Sequence, residues 1–410
     1  MQSSETFYDT IIIGGGPAGL FTASNINFSK VLLIEKGKRL ARKLLISGTG
    51  QCNFTHAGTR STFLKHYGNN HRFLKYALHE FSNTDAISFF KEAGVDSVED
   101  KNGKIFPASL KASDILQALA SACKSKKVTI LNGSPVIEVS ADAGLFSLKT
   151  ATNEFICTNL VITTGGLSYP ATGSTGDGYQ FAKQLNHTIV TPKPALCAVN
   201  IQDYHMEALS GISLSDVLIS LYHDGRKTAE HRGDIVFTLK GLSGPGIIDF
   251  SRFINDGDTL KINFIDRNIS DFNYDFIEAL KSTGKSALQT WLKPYNVPRN
   301  LLRYLIEEAG AEPDQQIAAI SRQTRMKLAT LLCEYSFVVA KAGSFKTAMA
   351  TAGGIDLADI RIRTMESRIC PKLYFAGEIL NYHAPTGGFN IQLAASTGWL
   401  AGSSAVLPPS

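Results

Sequence analysis

The chain has 410 residues, 44% of them hydrophobic, with a net charge of +5 and a pI near 8.7. At roughly 150 residues per domain this predicts two or three domains, and the composition excludes a disordered chain. No Lys/Arg block is long enough for a nucleic-acid arm, and no apolar run reaches the ~18 residues of a membrane span. The six scattered cysteines contain no C-x-x-C, so neither a metal site nor a disulfide framework is expected. The first twenty residues lack the basic start and apolar run of a secretory signal, which makes a reducing cytoplasm the expected compartment.

In chain order, "YDTIIIGGGPAGLFTASNI" reads as an apolar strand, a glycine turn and a helix. Gly14, Gly16 and Gly19 form G-x-G-x-x-G, and Glu35 follows a second strand, "KVLLIEK", at the spacing of a βαβ dinucleotide fingerprint. Gly14 permits the tight turn, Gly16 lets a pyrophosphate approach, and Gly19 lets the helix pack on the strand. The helix that opens at Pro17 offers the N–H groups of Ala18 and the residues after it to phosphate, and Glu35 can accept from a ribose hydroxyl. Lys36, Arg42 and Lys43 belong to a basic run that is mostly a solvated face, from which Arg42 or Lys43 can reach the pyrophosphate. The loop "SGTGQCN" holds Asn53, with Thr55 just beyond, as contacts to the middle of the cofactor, and Cys52, which can touch the flavin or serve as a small buried thiol. "NLVITTGG" is a strand ending at Thr164, Gly165 and Gly166, another point of close approach. Short alternating segments over 191–265 predict a β-domain, and the periodicity of 267–333 predicts helices.

The last segment separates FAD from NAD, which the first fingerprint leaves open. "LYFAGEILNYHAPTGGFNIQLAA" is a strand, an acid, a Gly-Gly turn and a helix of small residues. A protein binding only NAD does not need it, whereas the ribityl chain and ring of FAD reach past the sheet. Gly377 and Glu378 can meet ribityl hydroxyls. The helix opening at Gly387, Gly388, Phe389, Asn390 and Ile391 can aim its N–H groups at the flavin pyrimidine edge.

Five stretches in order resemble one family: "RKLLISGTGQCNFTH", "GKIFPASLKASDI", "LVITTGGLSYPATGSTGDGYQ", "GDIVFTLKGLSGPG" and "ATAGGIDLADI…GGFNIQLA". They are similar to the HI0933-like (YhiN-type) flavoproteins, also described as aminoacetone oxidase-like or BaiN-like. The resemblance implies an α/β fold: a Rossmann-like FAD-binding domain of the glutathione-reductase type, with an inserted β-domain and a small helical subdomain. The expected boundaries are 1–190 and 345–410 for the FAD-binding domain, 191–266 with about 334–344 for the β-domain, and 267–333 for the helices. The resemblance also implies Ser47, Gly48 and Gly50 as cofactor contacts and Val136 beside the adenine. Thr49 and Gln51 stand where the family has Gly and Arg, and Asn381 where it has Asp.

The implied activity is an FAD-dependent oxidoreductase on a small-molecule substrate, with no nucleic-acid or membrane partner and no oligomeric state specified. Two reactions stay open: oxidation of a small amine or aminoketone by O₂, or reduction of an activated C=C bond with NAD(P)H as donor. A third reading, of another class, is a tRNA-modifying or regulatory flavoprotein, against which stands the lack of a basic helix with interleaved aromatics. The substrate is expected between the FAD sheet and the inserted region. Candidates for a role there are Ser243, Gly244 and Pro245 in a turn, Tyr382, and His383 as an acid or base.

Overall fold

The computed structural model describes residues 6–27 and 30–405. The first strand, Thr6–Ile13, lies between Val31–Glu35 and Glu154–Ile162, both parallel to it, and Thr129–Asn132 pairs outside Val31–Glu35. Leu373–Phe375 adds in parallel to the second half of Glu154–Ile162. Leu145–Thr150 and Val136–Asp142 extend its first half as an antiparallel ribbon. The parallel strands are near-continuous apolar runs because both faces are covered. Ile11, Ile12, Leu33, Leu160, Val161 and Ile162 are wholly buried, each worth about 1.5–3 kcal/mol. Ile13 is in register with Ile34 and Ile162, and Ile162 with Phe375. The residues that follow these strands therefore emerge at one edge, where open α/β sheets hold their ligands.

Two helices cover this sheet centre with residues buried on all sides. Pro17–Asn25 starts with proline, whose missing N–H costs nothing at a first helical position, and continues with small residues. Phe389–Ser404 packs directly on it. A Cβ at Gly398 would lie 2.4 Å from Ala18 O, and one at Gly402 2.5 Å from Thr22 O, so only glycine allows this approach. Asn25 Nδ2 then donates to Trp399 O at 2.8 Å.

Met1–Pro194 and Phe345–Ser410 make one compact unit and Ala195–Ser344 another. In the second, six strands close a barrel in the order Val199–Ile201, Gly241–Ser243, Arg226–Phe237, Ser213–His223, Thr259–Asn263, Tyr335–Lys341. The helices Ile269–Thr283, Arg299–Ala309 and Arg322–Cys333 share a single buried core with it, which holds Phe272, Phe276, Leu305 and Leu328 together with Ile219, Leu260 and Phe337. Among the described residues no helix is long and apolar enough to cross a membrane.

In the first unit His187 is buried against Phe375, with ring centroids 4.9 Å apart. Its Nδ1–H faces Ala182 O at 3.2 Å, which leaves Nε2 to accept from the Ser367 hydroxyl at 2.7 Å. Burial lowers its pKa, with Asp359 opposing. The fold thus prefers the neutral ring, and the unfolded chain binds the proton more readily. This contribution to stability is full above about pH 6.5 and is lost as pH falls through the lowered value. Thermal melts of FAD-free protein from about pH 7.5 down to about pH 5, either side of ~6.5, should fall towards acid. His187→Asn should show a shallower decline over that range.

Candidate dinucleotide and flavin site

At the strand edge Gly14 has φ +108°, a left-handed conformation that favours glycine, and a Cβ there would lie 2.7 Å from Thr163 O. At Gly19 a Cβ would lie 1.9 Å from Gly14 O, so this glycine lets the helix close on the turn. Gly16 differs from both. Its φ is −78°, open to any residue, and a Cβ there would meet nothing within 4 Å. Neither backbone nor packing asks for glycine at this position. What the missing side chain provides is open space beside a helix N-terminus, which fits an approaching pyrophosphate. Glu35 closes the turn: its Oε2 accepts from Gly15 N at 2.7 Å and its Oε1 from Gly37 N at 2.6 Å. Each carboxylate oxygen keeps acceptor capacity for a ribose hydroxyl.

Glu378, just past Leu373–Phe375, joins four segments. Its Oε2 pairs with Lys43 Nζ at 2.7 Å. Its Oε1 accepts from Ser168 Oγ and from Thr351 N, each at 2.7 Å. Lys43 Nζ also donates to Ser168 Oγ. Thr351 Oγ1 in turn accepts from Leu167 N at 2.9 Å and Ser168 N at 3.1 Å. Sequence reading found Lys43 and Glu378 and missed Ser168 and Thr351. Both lie inside stretches that carry the family resemblance, "GGLSYP" and "TAGG", and that was the available signal. Gly377 N donates to Thr397 Oγ1 at 3.0 Å, which ties this strand end to the last helix.

The Gly387–Gly388 turn departs from expectation. Gly388 has φ +92°, and a Cβ would lie 2.4 Å from Thr55 O. With the Asn53 amide nitrogen donating to Thr55 O at 2.7 Å, its oxygen accepts Gly388 N–H at 3.1 Å. That N–H is therefore spent within the chain. The helix positions past it, Phe389, Asn390 and Ile391, retain the N-terminal donors that intrahelical bonds never use. Asn390 braces the turn through Ala384, donating to its O and accepting from its N at 2.9 Å each. Phe389 is a core residue, stacked with His56 at 4.7 Å and tilted against His66 at 4.1 Å.

The other expected residues are spread more widely. Lys36 pairs with Asp177 at 2.7 Å and with Thr175. Val136 begins the outer strand of the ribbon, opposite Thr150. Ser47 Oγ donates to Leu44 O at 2.7 Å, and Gly48, Thr49, Gly50 and Cys52 all have positive φ. Burial pushes the Cys52 thiol up to about 12, so it stays protonated, as a small core residue would. Tyr382 needs correction as a catalytic candidate. It is buried, its hydroxyl lies 3.2 Å from Thr397 Oγ1, and desolvation drives its pKa far above the usual range. His383 is half-buried in the same turn. Ser243, Gly244 and Pro245 belong to the other unit, with Ser243 ending a barrel strand.

Among the described residues, the hydroxyls of Thr164 and Tyr179 are buried with no hydrogen-bond partner. Both belong to the neighbourhood of Glu378 and Gly178: Glu378 helps raise the Tyr179 pKa after burial, and a Cβ at Gly178 would strike Thr164 Oγ1. Orphaned hydroxyls of this kind call for a water or a polar ligand. With the space at Gly16, they fit a dinucleotide lying along the strand edge.

A profile described as the HI0933-like protein Rossmann domain matches residues 8–404. The chain belongs to the HI0933-like family. This HI0933-like protein is 32% identical over 403 residues to a ribosomal RNA dihydrouridine synthase of Haemophilus influenzae, covering 96% of this chain and 97% of that one. It is 25% identical over 409 residues to a 3-dehydro-bile acid delta(4,6)-reductase of Clostridium scindens, covering 97% and 99%. Among solved structures it is similar in fold to the 3-ketosteroid-delta4-(5alpha)-dehydrogenase of Rhodococcus jostii RHA1. The TM-score is 0.53 at 12% identity, covering 100% of this chain and 98% of that one. The fold is a Rossmann-like FAD-binding domain, and the HI0933-like protein is an FAD-dependent oxidoreductase.

Two glycine substitutions separate packing from ligand space. Gly16→Val should leave the melting temperature of FAD-free protein nearly unchanged while flavin absorbance after loading falls at least tenfold. Gly19→Val should lose both. Glu378→Ala, which strips Lys43, Ser168 and Thr351 N of a shared acceptor, should cost about 2 kcal/mol in urea unfolding of FAD-free protein. Lys43→Met in that background should cost less than it does alone.

Proposed function

We propose that this protein reduces a carbon–carbon double bond conjugated to a carbonyl, and that its substrate is a uracil ring in RNA. The observation that carries the reading is what the two relatives have in common. Both are similar to this chain over almost its full length, and both are named for saturating such a bond. In uracil, C6 is the electron-poor carbon conjugated to the C4 carbonyl. Hydride adds at C6 and a proton at C5, which gives dihydrouracil, and a nicotinamide supplies the electrons.

FAD, when bound, relays two electrons from the donor to the electron-poor carbon. The chain's own groups do the rest. Glu35 and the start of Pro17–Asn25 would hold the adenosine and pyrophosphate. The Lys43–Glu378–Ser168 cluster would hold the ribityl segment, with the Thr164 and Tyr179 hydroxyls as further donors. The donors at Phe389, Asn390 and Ile391 would serve the pyrimidine end of the ring and favour negative charge there. This reading replaces amine oxidation as the leading reaction and departs from the expectation of no nucleic-acid partner.

The test uses FAD-loaded protein, NADH or NADPH, and ribosomal RNA transcribed without modifications, under nitrogen. Digested RNA should contain a uridine heavier by two hydrogens. Unchanged RNA together with flavin-dependent peroxide release from small amines in air would return the reaction to the oxidase class.

A further inference from the structure

Resting on that reading, we infer that the outward side of the two helices Arg60–Lys65 and His71–Glu80 is the surface that docks the RNA phosphate backbone. From Arg60 to Glu80 the chain has four Lys/Arg, three His and one acid, the exposed Glu80 at the end of the second helix, which lies 3.4 Å from His79. The structure sorts these residues by chemistry. Phe63, Tyr67, Phe73, Leu74, Ala77 and Leu78 are buried in the core of the first unit, while Arg60, Lys65, Arg72 and Lys75 are exposed. A fifth cation arrives from a distant part of the chain: exposed Arg363 sits 5.0 Å above the Tyr76 ring. This pairs an arginine with an aromatic at the surface, as single-stranded binders do. Five cations, against the single acid Glu80 at the helix end, are complementary to phosphate.

The surface is fastened to the candidate flavin end. Asn70 Nδ2 donates to Asn381 O at 3.1 Å, and Tyr67 Oη to Phe389 O at 3.1 Å. His66 packs on the Phe389 ring. A backbone held on these helices would lie beside the 381–389 turn, where the flavin ring is proposed to end. As a linear pattern the basics look dispersed, because apolar core residues separate them and Arg363 is almost three hundred positions away.

The experiment is a salt titration of binding to unmodified ribosomal RNA by three FAD-loaded proteins: wild type, R60Q/K65Q/R72Q/K75Q, and the control K111Q/K124Q/K126Q/K127Q. The control removes the same charge from exposed lysines on and flanking the helix Ala112–Ser125. The first variant should lower the slope of log K against log salt by about 3, at roughly 0.7–0.9 per phosphate contact. It should also weaken binding at least tenfold, with flavin content and bleaching by nicotinamide unchanged. The control should keep the wild-type slope within about 1. A wild-type slope in the first variant, or an equal loss in the control, overturns the surface while leaving RNA reduction standing. If wild type shows no salt-dependent binding to RNA, the RNA substrate falls and the surface with it.

Discussion

The strand edge depends on one steric constraint: around Gly14, three pieces of backbone come closer than side chains allow. Thr163 at the end of a neighbouring strand, Gly14 itself and the helix at Gly19 are within 3 Å of where Cβ atoms would be. Thr163 Oγ1 stitches the junction by donating towards Ile13 O and Gly14 O, 2.9 Å from each. Because these segments touch, the ends of four parallel strands converge, and Glu35, Thr164 and Glu378 can serve one elongated ligand. Gly16 lies within this crowding and yet faces open space. Packing and ligand access are thus assigned to different glycines of the same motif.

Electrostatics then fixes what sterics brings together. The Glu378 carboxylate is about three-quarters buried and has a cation, a hydroxyl and a backbone N–H around it. A charge in such a place persists only when its acceptor sites are filled. The same arrangement locks the short helix carrying Lys43, Arg42–Ile46, to the end of the last strand.

The fold class was legible because parallel strands covered on both faces must be apolar runs, and "TIIIGGG" and "VLLIEKG" have that form with glycine punctuation. The role of Gly388 was less so. Its glycine is demanded by φ and by Thr55 O, and its N–H by Asn53, contacts that no local spacing encodes. Ser168 and Thr351 escaped for the same reason: the Ser168 hydroxyl and the Thr351 N–H become part of a site only when a carboxylate 210 or 27 positions away turns towards them. Tyr382 was ambiguous in principle, since an aromatic beside a glycine turn can line a pocket or plug a core. The reaction was least legible of all, because a flavin carries the redox chemistry and leaves few demands on side chains.

The contact between Pro17–Asn25 and Phe389–Ser404 has a kinetic side. Gly398 and Gly402 meet carbonyls of a helix made nearly 380 residues earlier, so the first nucleotide-binding helix emerges from the ribosome with its apolar face uncovered. At about 5–20 residues per second it waits tens of seconds for its partner. The second unit, continuous in sequence, can fold in that interval. The order of synthesis therefore makes the discontinuous unit the last to mature and the one most in need of chaperone cover while it waits.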